Sequence, residues 1–126
     1  MTNDLTTREV SQRLLQAGFD ETRESVWYKG KIVSVEALME YALEVDVDFT
    51  EVYPAYSAST LFEWLRAKYH SDPNLALDIQ ATEITIWLNI GHNPDEEEKE
   101  FEYKTSLADM LGESIIWILT QEKENK

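Results

Sequence analysis

The sequence predicts an α+β fold, a single domain over residues 1–126 with an antiparallel sheet of about three to five strands packed against helices. Three observations carry this reading. Apolar residues recur at helical spacing in four separate stretches, the spacing changes to two between residues 75 and 103, and the clearest strands are consecutive in the chain, as in an antiparallel meander with one apolar face. A length of 126 residues suits one domain, and 43% hydrophobic with 11% aromatic residues is enough to form a core despite a net charge of −14.

Each element has local signals. Thr6 and Glu9 form a capping-box pair with Leu5 and Val10 as a hydrophobic staple, so the first helix is expected to start near Thr7. Val10, Leu14 and Ala17 follow helical spacing, and Gly18-Phe19 then reads as a Schellman stop in which Phe19 touches Leu14. Trp27-Tyr28 and Ile32-Val33 flank Lys29-Gly30-Lys31, which predicts a short hairpin. Ser34 caps a second helix whose buried stripe is expected to be Leu38, Tyr41, Ala42 and Val45, with Glu36, Glu40 and Glu44 on the far side.

Asp46 to Tyr56 lacks periodicity and reads as a connector, in which Pro54 pushes Tyr53 into an extended conformation. Ser57 or Thr60 caps a third helix carrying Leu61, Phe62, Leu65 and Tyr69, which ends near His70, ahead of Pro73. Leu75, Leu77 and Ile79, then Ile84, Ile86, Leu88 and Ile90, alternate as strands with one buried face. Gly91 to Glu100 reads as a charged hairpin loop, Phe101 and Tyr103 as the return strand, and Ser106 with Asp109 as the start of a last helix burying Leu107, Leu111, Ile115 and Ile118. Gly112 inside that helix costs about 1 kcal/mol relative to alanine, which points to close approach of another backbone.

Two stretches carry a resemblance: Tyr53-Pro54-Ala55-Tyr56-Ser57 leading into Leu61 and Glu63-Trp64-Leu65, and Leu107-Ala108-Asp109-Met110-Leu111 leading into Ile115-Ile116-Trp117-Ile118-Leu119. They resemble small phage and prophage proteins that combine an N-terminal helix ending in Gly-Phe, a Pro-Ala segment before a Leu-rich helix, a strand pair and a C-terminal helix of Ile-Trp-Leu type. The pattern spans most of the chain, and Tyr56 departs from the Pro-Thr pairing of that segment. The resemblance implies a phage-like genomic context and brings no catalytic residues.

Charge selects the partners. Residues 34–102 hold sixteen acids against three bases, whereas residues 1–33 are balanced. Such a middle repels nucleic acid and anionic lipid and attracts basic protein surfaces, so neither direct nucleic-acid binding nor membrane binding is expected. The absence of cysteine removes disulfides, thiolate nucleophiles and cysteine metal clusters. Met1 to Arg8 lack the basic start and apolar stretch of a signal peptide, and no apolar run reaches bilayer-spanning length, so a cytoplasmic location in the host cell is expected.

Chemistry-bearing motifs are sparse. Asp46 and Asp48 flank Val47 as carboxylates do at metal-dependent phosphoryl-transfer sites, yet further ligands would have to come from other elements. The acidic run from Asp95 to Glu100 lacks the alternating ligands and central glycine of a calcium loop and reads as a solvated hairpin tip. His70 and His92 lie in no recognisable motif, no nucleophile elbow or phosphate-cradling glycine loop is present, and no cofactor is expected. Trp64 and Trp117 are expected to border the core, while Trp87 shares the polar strand face with Thr85 and Asn89. The residues expected to bind a partner are Glu36, Glu40, Glu44, Trp87, Asp95, Glu96, Glu97 and Glu98.

These readings favour a non-catalytic phage or prophage accessory protein that binds a host or phage protein through an acidic surface. A DNA-mimicking inhibitor is the sharper form, since carboxylates on successive helical turns stand about 6 Å apart, near the spacing of phosphates along a strand. The alternatives are a homo-oligomeric structural or assembly protein using the open sheet face, and a metal-dependent enzyme using Asp46 and Asp48.

Overall fold

The computed structural model describes residues 4–89 and 96–124. In chain order the elements are α1 (Arg8–Gln16), β1 (Ser25–Tyr28), β2 (Lys31–Ser34), α2 (Val35–Ala42), a 3-10 turn (Phe49–Glu51), β3 (Tyr53–Ala55), α3 (Ala58–Ser71), β4 (Leu75–Ile79), β5 (Glu83–Leu88), β6 (Glu97–Glu102) and α4 (Leu107–Glu124). The class is α+β as expected, and the strands divide into two three-stranded antiparallel sheets, ordered β2-β1-β3 and β4-β5-β6.

The first sheet grows from the expected hairpin. Lys29 and Gly30 both take positive φ, 50° and 78°, which makes the two-residue connection a type I′ turn matched to the twist of its strands. On the other side of β1, Val26 stands opposite Pro54 in β3, so the stretch read as a connector contains a strand. Three residues have no readable period, and β3 exists because β1 offers it an edge. Pro54 is tolerated because β3 is itself an edge strand.

The α1 start differs from expectation by one residue. Thr7 is the N-cap, accepting from the Val10 N–H at 3.5 Å, because Thr6 and Thr7 offer the same capping chemistry in adjacent registers. Thr6 instead lies fully buried as a polar junction. Its hydroxyl bonds Ser11 Oγ at 2.7 Å and accepts the Tyr56 N–H at 3.1 Å, its N–H donates to the Tyr56 carbonyl at 2.9 Å, and its carbonyl accepts the Trp27 indole N–H at 2.9 Å. The segment before α1 is thereby fixed to β1 and to the end of β3. The helix ends as expected: Phe19 N–H bonds the Leu14 carbonyl at 3.0 Å, Gly18 N–H the Leu15 carbonyl at 3.1 Å, and Gly18 takes φ 89°.

The helix α4 is the central support, packing on α1, α3, β5 and β6. It buries Ala108, Met110, Leu111, Ser114, Ile115 and Ile118, whereas Leu107, expected in the core, is only partly covered. The Ser114 hydroxyl satisfies itself by donating to the Met110 carbonyl at 2.9 Å. Opposite α4, the third helix is capped by Ser57 and buries Leu61 and Leu65, four residues apart. Of the four apolar residues read onto this helix, Phe62 is exposed because it lies about 100° round from Leu61, and Tyr69 is exposed in the last turn. Ile84 and Ile86 of β5 are fully buried and close the core from the sheet side.

Gly112 is explained by side chains rather than by a neighbouring backbone. A Cβ there would stand 2.6 Å from Val10 Cγ1 and 3.5 Å from Leu14 Cδ1. Val10 is buried and β-branched, so it yields poorly. Gly112→Ala is expected to lower stability by roughly 1–3 kcal/mol from overpacking, less the helix-propensity gain. Urea denaturation checks it, and adding Val10→Ala is expected to recover part of the loss.

Two surface expectations also change. Glu97 to Glu100 belong to β6 rather than to a hairpin loop, so the return strand expected at Phe101 starts earlier, and Ile90, Gly91, His92 and Asp95 lie outside the described residues. Of the stripe expected to be buried on the second helix, only Leu38 is. Tyr41 and Val45 are exposed, Tyr41 having the Tyr28 ring on one side, and the helix stops at Ala42 before Val45 can extend the stripe.

Candidate partner-binding surface

The exposed side of α2 and the chain following it hold an unusual mixture. Ten large hydrophobic residues are exposed among the described residues, and six of them, Ile32, Met39, Tyr41, Leu43, Val45 and Phe49, fall between residues 32 and 49. Leu43 is 87% exposed, Met39 55% and Phe49 53%. Glu36, Glu40, Glu44, Asp46, Asp48 and Glu51 are exposed in the same stretch, and no lysine or arginine occurs from Ile32 to Leu65. Isolated exposed hydrophobics are ordinary, but a concentration of this kind marks contact surfaces.

Local structure explains how both chemistries share one face. At 100° per residue, Met39 and Leu43 lie beside the Glu36–Glu40 row, while Leu38 turns toward the protein. Ser34 opens the helix by accepting the Ala37 N–H at 3.0 Å, and Glu36 in the first turn is favourable to the helix dipole. Glu44 lies beyond the helix, in a tightened turn where its N–H bonds the Tyr41 carbonyl at 3.0 Å, so the expected three-turn row of carboxylates has two members on α2. An eight-residue helix with one buried side chain has little stability of its own, and it is held by its packing on β2. On another side of α2 the hairpin tip approaches the helix: the Tyr28 and Tyr41 ring centroids are 6.4 Å apart, and Lys29 sits over Tyr28.

Asp48 has a structural task. Its carboxylate caps the 3-10 turn, accepting from the Thr50 hydroxyl and from the Thr50 N–H at 3.0 Å, and these hydrogen bonds hold its pKa below the ordinary aspartate value. The capping contribution is therefore present above the ordinary aspartate range and is lost as pH falls through the lowered pKa. Thr50→Val is expected to move the Asp48 titration midpoint upward, which a carboxyl NMR titration reads directly. Among the described residues, no group of three or more His, Cys, Asp or Glu side chains is placed to hold a metal ion.

A second acidic surface lies on the β4-β5-β6 sheet. In the register Trp87 is opposite Glu98, Thr85 opposite Glu100 and Glu83 opposite Glu102, with Asp78 beside Thr85 on the other flank. Directly opposed residues share a face, so Asp78, Glu83, Glu98, Glu100 and Glu102 surround Thr85 and the partly exposed Trp87. The inner face carries Ile84, Ile86 and Phe101.

No family model, curated protein or solved structure matches this chain. Its candidate surfaces therefore rest on its own geometry.

The residues expected to bind a partner divide between surfaces. Glu36 and Glu40 lie on α2 with Glu44 just beyond, whereas Trp87 and Glu98 are cross-strand neighbours on the outer face of the second sheet. Glu96 is exposed ahead of β6. Glu97 belongs to the inner face; with its amide satisfied at both atoms, Gln121 donates to Glu97 at 2.9 Å and accepts from the Trp117 indole at 3.3 Å. Asp95 lies outside the described residues. Trp64 and Trp117 border the core as expected, the former edge-on to Phe19 and the latter to Phe101. His70 stands in the last turn of α3, edge-on to Tyr69. No described helix is long and apolar enough to cross a membrane.

The spacing of Tyr41 and Val45 matches that of a core-facing stripe, so periodicity alone does not reveal their exposure. One available signal was the absence of any base over residues 32–65, which marks where mixed acidic and apolar character concentrates.

Proposed function

We propose that this chain is a non-catalytic accessory protein, of the phage or prophage kind its packing pattern resembles, that binds a host or phage protein through the acidic and apolar surface around α2. The observation that carries the reading is the concentration of exposed Met39, Leu43 and Phe49 among Glu36, Glu40, Glu44 and Asp46. Burying the apolar residues supplies affinity, and the carboxylates select a cationic rim and speed encounter. The partner class is a basic protein with an apolar patch.

Charge also argues against the homo-oligomeric alternative on this surface, since two copies meeting there would oppose like carboxylates. Self-association through the α2 face would strengthen with added salt, the reverse of the proposed partner's behaviour. Light scattering across a salt series separates the two.

A narrower reading, inhibition of a nucleic-acid enzyme by mimicry of DNA charge, is favoured by the Glu98, Glu100 and Glu102 row on β6. At about 3.4 Å per strand residue these carboxylates repeat every ~6.8 Å in a line. Duplex DNA would then compete with the chain for the same partner.

Affinity capture from a bacterial lysate at low and high salt tests the main reading. The expected result is a basic protein retained at low salt and released at high salt. Capture dominated by acidic proteins, or unaffected by salt, contradicts it.

A further inference from the structure

The third strand of the second sheet has an unused edge, and the register shows which atoms it presents. Tyr103 N–H donates to the Thr82 carbonyl at 2.8 Å, and these two residues continue the β5–β6 register. Hydrogen-bonded pairs recur every second residue, so Phe101, Lys99 and Glu97 face β5 with their backbone groups. The N–H and C=O of Glu98, Glu100 and Glu102 point the other way. The β4–β5 pairing agrees: Gln80 N–H donates to the Glu83 carbonyl at 2.8 Å, which assigns Glu83, Thr85 and Trp87 to β4 and leaves Ile84, Ile86 and Leu88 for β6. Among the described residues no strand pairs with the outer edge of β6.

That edge opens onto a cleft of about 1040 Å³, walled by α1, α4 and β6. Lys99, Glu100, Phe101 and Glu102 all line it although they alternate between faces, so the cleft runs along the strand edge rather than over one face. Ile116 and Trp117 of α4, each partly exposed, give it an apolar wall next to Phe101.

We propose that the β6 edge accepts an extended peptide as a fourth strand of this sheet, and that the peptide alternates basic with apolar residues. Backbone hydrogen bonds to Glu98, Glu100 and Glu102 supply the pairing, and alternation supplies the selectivity. Peptide side chains on the outer face lie beside the Glu98, Glu100 and Glu102 carboxylates, where lysine or arginine is complementary; those on the inner face meet Phe101, Ile116 and Trp117. A second copy of this chain is the wrong occupant. Antiparallel β6–β6 pairing puts outer face against outer face and sets the three glutamates of one strand against those of the other, an arrangement that penalises edge-to-edge self-association. The site is separate from the α2 surface, and its test does not depend on that reading.

The test uses the full chain and a blocked eight-residue peptide of alternating lysine and valine, with two analogues N-methylated at either the lysine or the valine amides. Binding is expected to slow hydrogen exchange of the Glu98, Glu100 and Glu102 amides at least tenfold. One methylated analogue is expected to bind at least tenfold more weakly: the lysine set for antiparallel addition, the valine set for parallel. Equal binding by both analogues, as simple charge attraction would give, overturns the proposal. It is equally overturned by unchanged exchange at those three amides with peptide bound, by no binding at low salt, or by a concentration-dependent dimer that protects them without peptide.

Discussion

Tyr56→Ala is expected to destabilise the protein by roughly 3–5 kcal/mol, a large share of what a domain of this size commands. Tyr56 is fully buried and heads the largest enclosed side chains, with Phe19 edge-on at 4.8 Å. It also joins parts of the chain distant in sequence: its backbone N–H and carbonyl both pair with Thr6, and its hydroxyl accepts from the Glu21 N–H at 3.4 Å. Truncation removes the ring contacts and opens a cavity where β3, the start of α3 and the segment before α1 converge. Urea denaturation followed by tryptophan fluorescence measures the loss. Tyr56→Phe, which keeps the ring and the backbone pairing, is expected to cost only about 0.5–1.5 kcal/mol, the value of one hydrogen bond.

On the binding side, Leu43→Ser combined with Phe49→Ser is expected to weaken association with the captured basic partner by about 30-fold or more, the loss typical of removing an apolar anchor. Both side chains are more than half exposed, so stability is expected to stay within about 0.5 kcal/mol of the parent. Calorimetric titration with the partner reads the first effect and a thermal melt the second. Glu36→Gln with Glu40→Gln is expected to act differently, mainly by flattening the dependence of affinity on salt.

Where one local rule determined the outcome, the sequence was legible. The Gly18-Phe19 stop, the Lys29-Gly30 hairpin, the Ser34 and Ser57 caps and the alternation of β5 all appear as expected because turn and cap chemistry is local. Failures came where the deciding partner was distant in sequence. Thr6 and Thr7 could not be told apart as caps without knowing that Tyr56 claims the first. Only pairing with β1 reveals β3, and the glutamates of β6 disguised a strand whose period-two pattern rested on Phe101.

The candidate surface shows the same limit in another form. Helical periodicity identified a stripe on the second helix but could not say whether the fold covers it, and Leu38 alone is covered. Carboxylates Glu36 and Glu40 were legible as an exposed row, whereas their apolar neighbours Met39 and Leu43 became part of the surface only once the packing was known. Likewise, Trp87 and Glu98 were singled out separately, and the β5–β6 register makes them neighbours.

The affinity of the captured partner for the unmodified chain, measured across a salt series, tests the central claim most directly. The account predicts binding that weakens steeply as salt rises. Affinity indifferent to salt would contradict it, because the carboxylates around α2 would then play no part in choosing the partner.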